Sequence, residues 1–410
     1  MKTSVFISKR IALNRQRTFS RFIIRLSIAA TALSVASMIL TLSFVNGFQN
    51  AVSQKIFSFW GHIRVQQAQA AQSLISEETP LKGSDSVYQM LKSFPGVKQV
   101  QSYATKSAVL ENKQEIEGVL FKGVSANYDF HNLQSFLLEG RWIDFSDSSY
   151  SKQIVISKPI ADELNIHVND SIHVIFITPD AASTSVRKLQ VTGIYKTGID
   201  EYDKLFAIGD LRLLRKINQW KHGEIGGYEI FLKDYTQMDT ISYQLHETLP
   251  LRWESHTIRE IYPNIFDWLN ILNVNRNVIF IIMAIVAIIN LVTCLLILVL
   301  ERIRMVGILK SMGATDWMIQ KIFLYHAAFI AFMGVLIGLI TGMGIYFLQR
   351  YTGFIKLDET NYYVSVAPVL ISGWEVFLIC LSTLIVCFIA LLLPTLFVRS
   401  VKPVKAIRFR

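Results

Sequence analysis

The sequence is short of the residues that would mark a disulfide-stabilised protein. Its 410 residues include only three cysteines, Cys294, Cys380 and Cys387, and each lies in a long apolar run. The polar segment 48–277 contains no cysteine, so it needs no disulfide bond, and it is long enough to bury a hydrophobic core of its own. We expect the three cysteines to pack as small apolar residues.

Signatures of nucleotide hydrolysis, metal binding and nucleophilic catalysis are also missing. There is no G-x-x-x-x-G-K-[S/T] phosphate loop and no G-x-S-x-G nucleophile motif. The eight histidines are scattered, and no cysteine joins His167 and His173 in a zinc-binding set. We therefore expect no catalytic residue, metal site or cofactor in this chain.

Acidic residues are scarce in three short segments, and this scarcity accounts for the net charge of +10. Residues 1–25 hold seven basic and no acidic residues, residues 301–321 hold four and two, and residues 399–410 hold five and none. The segment 48–277 is slightly acidic, with 23 basic and 26 acidic residues. A basic surplus confined to short segments beside apolar runs follows the positive-inside rule and argues against a nucleic-acid-binding face.

The apolar runs are long enough to cross a membrane. The chain is 51% hydrophobic with a mean hydropathy of +0.36, and only Arg25 and Glu375 place a charge in a run, each at its end. A span needs about 20 apolar residues to cross about 30 Å of hydrocarbon. We predict four transmembrane helices, at residues 22–47, 278–300, 322–348 and 374–398.

The charge pattern also predicts the orientation of the chain. The basic segments 1–21, 301–321 and 399–410 should be cytoplasmic, and segments 48–277 and 349–373 should lie on the opposite side. The first apolar run is longer than the 7–15 residues of a signal-peptide core. We expect it to remain as an uncleaved anchor and first span.

The segment 48–277 alternates between strand-like and helix-like patterns. Residues 153–157 and 189–195 are typical of strands, whereas residues 159–164 and 210–216 are typical of short helices that begin with proline or with an aspartate cap. This alternation predicts one α+β domain. The predicted fold is therefore an α-helical membrane protein with a large α+β domain inserted between helices 1 and 2.

Residues 301–321, which we call the elbow, combine basic charge with an apolar stripe. Ile303, Val306, Leu309 and Met312 recur every three residues, and Gly313 and Thr315 supply a helix stop and the next N-cap. By residue types alone, a helix that docks on a partner and a basic loop that only sets topology are equally good interpretations.

The run E-R-I-R-M-V-G-I-L-K-S-M-G-A resembles the coupling helix of FtsX-like ABC transporter permeases, which docks into a separate ATPase subunit. The resemblance implies that ATP and magnesium are bound by that partner and not by this chain. The run departs from the family pattern at Met305, where a glutamate is usual. The residues that it implicates in coupling are Arg302, Arg304, Val306, Leu309, Lys310 and Gly313.

Further fragments are similar to the lipoprotein-releasing permeases of the LolC/LolE family. They include V-N-G-F at 45–48, G-R at 140–141 and Y-K-T-G-I-D-E-Y-D at 195–203. Two departures qualify the match. Asn169 replaces a turn glycine, and the segment 178–188 is short where one of the paired family permeases carries a hook for the periplasmic chaperone. The resemblance implies a multi-pass protein of the bacterial inner membrane, for which the charge pattern predicts N-in and C-in topology.

Two sets of membrane residues are candidates for packing and for substrate passage. Gly334, Gly338 and Gly342 form a doubled G-x-x-x-G stripe, which predicts close helix packing within the subunit or between permeases. One face at the outer end of the first span could line a portal for acyl chains or face lipid. Its members are Met38, Leu42, Val45, Asn46 and Phe48.

The resemblance implies a permease subunit that works with an ATPase and a second permease, identical or not. Lipoprotein cargo would be released from the outer leaflet of the inner membrane toward a periplasmic chaperone. Two alternatives stay open: a mechanotransmission permease that regulates cell-wall hydrolases, and a MacB-like efflux permease. Membrane lipids are expected partners and nucleic acids are not.

Overall fold

The computed structural model describes residues 19–67, 80–83, 85–113, 115–147, 149–177 and 185–395. These residues form two units. The helical unit contains the described residues up to Asn50, then Trp268–Lys356, and the described residues from Val366 onward. The sheet unit contains Ala51–Asp267 and Leu357–Ser365.

The helices of the described residues are numbered here in chain order. They are α1 (Phe19–Trp60), α2 (Asp85–Ser93), α3 (Lys158–Glu163), α4 (Asp200–Asp203), α5 (Leu211–Ile217), α6 (Met238–Thr248), α7 (Ile258–Ile261), α8 (Pro263–Glu301), α9 (Ile303–Ser311), α10 (Asp316–Thr352), α11 (Glu359–Tyr362) and α12 (Gly373–Thr395). Two short 3₁₀ helices lie at Phe130–Phe136 and Tyr235–Gln237.

Four of these helices, α1, α8, α10 and α12, are long and apolar enough to cross a membrane. Each contains one of the predicted spans, although residues 396–398 of the last lie outside the described part of the chain. The first two helices run well past the predicted spans, because α1 continues to Trp60 and α8 already begins at Pro263. Polar residues at these ends hid the extensions, since the prediction followed hydropathy.

The strands lie between α1 and α8 in chain order. They are β1 (Ile63–Gln67), β2 (Leu81–Lys82), β3 (Val97–Asn112), β4 (Glu115–Val124), β5 (Leu137–Gly140), β6 (Gln153–Ser157), β7 (Ser171–Phe176), β8 (Ser185–Tyr195), β9 (Phe206–Asp210), β10 (Glu224–Ile225), β11 (Gly227–Leu232) and β12 (Trp253–Thr257). Their alternation with helices confirms the predicted α+β character.

One ten-stranded mixed sheet dominates the described part of the sheet unit. Its order is β12-β1-β11-β3-β4-β9-β6-β8-β5, and β7 pairs with both β3 and β8. The double pairing of β7 closes strands β3, β4, β9, β6, β8 and β7 into a ring. Closure protects strand edges that an open sheet would leave unpaired.

The ring encloses an apolar core. Phe121 and Phe176 are fully buried and meet edge to face with ring centroids 5.2 Å apart. Small residues make room for them, because a side chain at Gly209 would overlap the ring of Phe121. Local signals agree with this arrangement: Ser157 caps α3 and Asp210 caps α5 through side-chain hydrogen bonds.

Candidate functional site: the elbow and its supports

The elbow forms as a short helix between two long ones. The helix α9 begins two residues after α8 ends, and Gly313 beyond it has a φ of 88°. The hydroxyl of Thr315 accepts a hydrogen bond from the main-chain nitrogen of Met318 and caps α10. Lys310 closes the turn with an ion pair to Asp316 at 2.9 Å. The predicted stop and cap are therefore confirmed.

The apolar stripe of the elbow is covered by the chain itself. Val306 is fully buried in one cluster with Val299, Ile319 and Phe323, and Leu309 packs partly buried against that cluster. Met312, the last member of the predicted stripe, is instead 78% exposed. The flanking long helices thus cover the centre of the stripe, and docking of the elbow on a partner stays a prediction.

A different face of the elbow is open. Ile308 is 53% exposed, Met312 78% and Trp317 54%, and Lys321 lies over the Trp317 ring at 5.1 Å. The exposed Arg304 precedes Ile308 by four residues, so the two lie on one side of α9. We call Arg304, Ile308, Met312 and Trp317 the open face. The spacing of 304, 308 and 312 was a sequence signal for it, which the three-residue stripe obscured.

The glycine stripe packs against α1 of the same chain. A Cβ at Gly334 would lie 2.7 Å from Thr31 Cβ, one at Gly338 would lie 2.6 Å from the carbonyl oxygen of Ala32, and one at Gly342 would lie 3.2 Å from Ala36 Cα. All three glycines are buried. The stripe is therefore an intrasubunit contact, which decides between the two predicted packing roles.

Four of the five residues predicted to line a portal are engaged in packing or hydrogen bonds. Met38 and Leu42 are 5% and 8% exposed and belong to a buried cluster of the long helices. Asn46 donates a 2.8 Å hydrogen bond to Glu375, and Phe48 meets Trp268 edge to face at 5.4 Å. Val45 is half-buried. Met38 and Leu42 thus line no open portal in this conformation.

A polar residue inside α8 finds its partner on α1. The amide of Asn290 donates to the carbonyl oxygen of Ser27 at 3.0 Å, and the Ser27 hydroxyl donates back to Asn290 at 3.4 Å. Such a pair satisfies polar groups within an apolar span. It joins the glycine stripe in fixing α1 against its neighbours.

Comparisons with known families decide what kind of protein carries this elbow. A family model described as the MacB-like periplasmic core domain matches residues 26–246, more than half of the chain. The model of the FtsX-like permease C-terminal region matches residues 277–403. The chain belongs to the MacB-type, FtsX-like ABC transporter permeases.

Curated relatives cover this permease almost end to end. It is 23% identical to the lipoprotein-releasing system transmembrane protein LolC of Neisseria meningitidis over 96% of each chain. It is 22% identical to the corresponding LolE of Haemophilus influenzae over 99% of each chain. The crystal structure of the periplasmic region of MacB from Actinobacillus actinomycetemcomitans is 14% identical, with a TM-score of 0.35, and covers 50% of this permease and 91% of that chain.

The sheet unit of the permease holds the end of α1 with buried charges. Lys122 donates a 2.6 Å hydrogen bond to the carbonyl oxygen of Phe59 and forms an ion pair with Glu229 at 2.7 Å. Its ammonium also lies over the Trp60 ring at 4.1 Å. A cation at a helix C-terminus satisfies carbonyl groups that lack helical partners. The last turn of α1 is therefore fixed in the domain core.

A second cation supports the same helix end. Arg64 is 1% exposed, donates to the Tyr103 hydroxyl at 2.7 Å and lies over the Trp60 ring at 4.5 Å. Sequence reasoning missed these buried charges, because Arg64 and Lys122 occur in strands without any distinguishing motif. Among the described residues of the permease, no three metal-ligating side chains gather into a site.

Proposed function

We propose that this chain is the permease subunit of an ABC transporter that releases lipoproteins from the outer leaflet of the bacterial inner membrane. The observation that carries the proposal is similarity along nearly the whole chain to proteins named as lipoprotein-releasing LolC and LolE. The separate domain models at the two ends of the chain support it. Neither efflux nor regulation of cell-wall hydrolases has comparable support.

The energy source in this proposal is a separate ATPase subunit, which binds ATP and magnesium. The open face of the elbow is the surface offered to that subunit. Ile308, Met312 and Trp317 would enter an apolar groove, and Arg304 would meet acidic residues at its rim. The other elbow residues would support this surface without contacting the ATPase. Val306 and Leu309 would hold α9 against the buried cluster, and Arg302, Lys310 and Gly313 would stabilise the turn.

Tight packing of the elbow would transmit a displacement caused by ATP binding to the membrane spans. A push on the open face reaches Val306, which packs directly against residues of α8 and α10. A close-packed cluster transmits displacement because it compresses little. The glycine stripe and the Asn290–Ser27 pair pass that displacement to α1. No covalent chemistry in this chain is needed.

In the same proposal, the packed arrangement of the predicted portal residues corresponds to a closed portal. Acyl chains would enter only after Met38 and Leu42 separate from their cluster and Asn46 leaves Glu375. Extraction transfers acyl chains out of the bilayer, which costs about 0.8 kcal/mol per buried CH₂ group. Such a cost explains the need for ATP. A periplasmic chaperone would receive the cargo, and a second permease, identical or not, would complete the complex.

Depletion of the permease in cells tests the proposal directly. Outer-membrane lipoproteins should accumulate in the inner membrane within a few generations, and plasmid-borne permease should restore their location. A matched control is depletion of an unrelated inner-membrane transporter. Normal lipoprotein sorting with failed cell separation, or with drug sensitivity, would instead favour one of the two alternatives.

Reporter fusions test the proposed orientation. A reporter after Arg410 or within 301–321 should be cytoplasmic, and one near Ser148 should be periplasmic, because the basic surplus lies in the first two regions. The terminal segments 1–18 and 396–410 lie outside the described residues, so this proposal rests on their sequence. A periplasmic reporter at Arg410 would contradict the four-span arrangement.

A further inference from the structure

A groove of about 450 Å³ lies between the long helices α10 and α12 of the helical unit. Its floor is buried, since Ala331 is 3% exposed and Leu391 is fully buried. Its rims are open, since Phe332 is 50% exposed and Phe388 is 47% exposed. The small side chains of Ala328 and Ala331 leave this space beside the large rings. A volume of this size is typical of ligand pockets.

The lining of the groove selects an apolar occupant. Every described residue that lines it is alanine, leucine, isoleucine or phenylalanine. A polar ligand would lose its hydrogen bonds to water there without replacement. A helix, about 10 Å across with its side chains, would fill this volume within about one turn, so the groove does not seat a helix of another permease. A single hydrocarbon chain is narrow enough to lie along it.

The groove lies in the half of the membrane next to the elbow. At 1.5 Å per residue, Ala328 and Phe332 lie about 9 and 15 Å beyond residue 322, where the predicted span begins. Half of the hydrocarbon thickness of a bilayer is about 15 Å. An acyl chain anchored at the far surface would have to cross the midplane first. A lipid whose headgroup lies beside the elbow reaches the groove directly.

A cation lies at the surface end of the same helix face. Lys321 precedes Ala328 by seven residues, so the two share one face of α10 and are about 10 Å apart along its axis. Lys321 is half-buried, its ammonium lies 5.1 Å from the centre of the Trp317 ring, and it has no acidic partner among the described residues. A lysine at the membrane surface without a carboxylate partner is suited to a phosphate group.

We propose that this groove binds one acyl chain of a phospholipid from the leaflet beside the elbow, and that Lys321 contacts the phosphate of that lipid. The chain covers the apolar floor, while the charged headgroup stays at the surface and avoids the cost of entering hydrocarbon. The site is separate from the predicted portal, since Met38 and Leu42 belong to a different buried cluster from Ala331 and Leu391. It does not depend on the release of lipoproteins.

Native mass spectrometry of the complete ATPase–permease complex in mild detergent tests the site. The wild-type complex should retain phospholipid. Ala328→Phe, which fills the groove, should lower the number of retained phospholipids by about one per copy of this permease. Ala29→Phe makes the same change at an exposed residue of α1 and should match wild type. Equal numbers in Ala328→Phe and wild type, or an equal loss in Ala29→Phe, would overturn the proposal.

Substitution of Lys321 tests the contact with the headgroup. Lys321→Gln removes the charge and leaves the groove intact, so retention of the phospholipid should fall several-fold. Lys321→Arg keeps a cation at this position and should retain the lipid. If Lys321→Gln retains as much phospholipid as wild type, the proposed contact with the phosphate is wrong.

A photoreactive side chain identifies the occupant even if Ala328→Phe fails to fold. The photoreactive residue p-benzoylphenylalanine replaces Phe388 in one complex, and detergent exchange then removes bulk lipid. Illumination should join the permease to a molecule with the mass of a phospholipid. The same residue in place of Ile340, which is 63% exposed and does not line the groove, should give at least fivefold less of this product. Products formed mainly with a second permease or with a lipoprotein would contradict the proposal.

Discussion

The ammonium group of Lys122 donates a 2.6 Å hydrogen bond to the carbonyl oxygen of Phe59, in the last turn of α1. Its ion-pair partner Glu229 is fully buried and also accepts a hydrogen bond from Tyr128 at 3.2 Å. Removing one member of a buried pair leaves the other charge without compensation. Truncation of both members is much less costly than truncation of one.

We therefore expect Lys122→Met to destabilise the sheet unit by about 3–5 kcal/mol, the usual cost of a broken buried pair. Lys122→Met combined with Glu229→Gln should recover a large part of that loss. Thermal unfolding of the purified permease, followed by tryptophan fluorescence, measures both. A double variant no more stable than Lys122→Met would show that the helix-end hydrogen bond, and not the charge pair, dominates.

Gly338→Leu should destabilise the helical unit. A side chain there would start 2.6 Å from the carbonyl oxygen of Ala32, and a helix backbone has little room to move away. Overpacking of this kind typically costs about 1–3 kcal/mol. Ile337→Ala is the matched control, because Ile337 is 43% exposed on the neighbouring face. Equal melting of Gly338→Leu and wild type in detergent would contradict the tight contact between α10 and α1.

Two aspartate substitutions on α9 should separate docking from folding. Ile308→Asp changes the open face, so the permease should fold and insert but lose ATPase binding or cargo-stimulated hydrolysis at least tenfold. Val306→Asp places a charge in a buried cluster, which costs several kcal/mol, so the permease itself should fail to accumulate. Membrane abundance and co-purification of the ATPase measure the two effects.

The control for docking is Phe354→Asp, which alters an exposed apolar residue beyond the opposite end of α10. It should leave ATPase binding unchanged. Normal ATPase binding by Ile308→Asp would rule out the open face as the docking surface. Leu309→Asp should resemble Val306→Asp more than Ile308→Asp, since Leu309 packs on the same buried cluster.

Acid should weaken the sheet unit through His62. Its ring accepts a 3.0 Å hydrogen bond from the Leu232 nitrogen, and burial, with a smaller contribution from Lys98, lowers the pKa of His62 from 6.5 to about 4. Between these pH values the unfolded chain binds a proton that the folded chain does not. Stability should therefore fall as pH drops through this window, by roughly 2 kcal/mol at pH 5.

The variant His62→Asn provides the comparison, because an amide oxygen can still accept the hydrogen bond but does not titrate. It should be less stable than wild type at pH 7.5 and lose less stability on acidification to pH 5. Unfolding of the full permease at both pH values measures the difference. Parallel losses in the two proteins would mean that other groups set the acid sensitivity.

Hydropathy and capping signals anticipated much of this fold. The sequence predicted the four apolar runs, the Thr315 and Asp210 caps and the Gly313 helix stop, because each depends on nearby residues. The pairing of β7 with both β3 and β8 could not be predicted, since it joins residues far apart in sequence. The same holds for Lys122 and Glu229, whose pairing depends on which strands become neighbours.

The elbow was also predicted only in part, because its surroundings depend on more than its own sequence pattern. A three-residue period placed Val306 and Leu309 on one face of α9, which is correct, but periodicity does not say what covers a face. The helices α8 and α10, which flank the elbow in sequence, cover that face. The glycine spacing likewise predicted close packing, and only the structure assigned Thr31, Ala32 and Ala36 as its partners.

The sheet unit is assembled from two stretches of chain, Ala51–Asp267 and Leu357–Ser365, which are separated by about 90 residues in the sequence. A recombinant fragment spanning 51–267 would therefore omit nine residues of its own fold, including the carboxylate of Glu359. Lys55 and Lys196 would then lose the carboxylate with which both form ion pairs, which favours aggregation or capture of stray anions. Soluble versions of this domain should carry residues 357–365 joined through a flexible linker, and domain-swap chimaeras should exchange both stretches together.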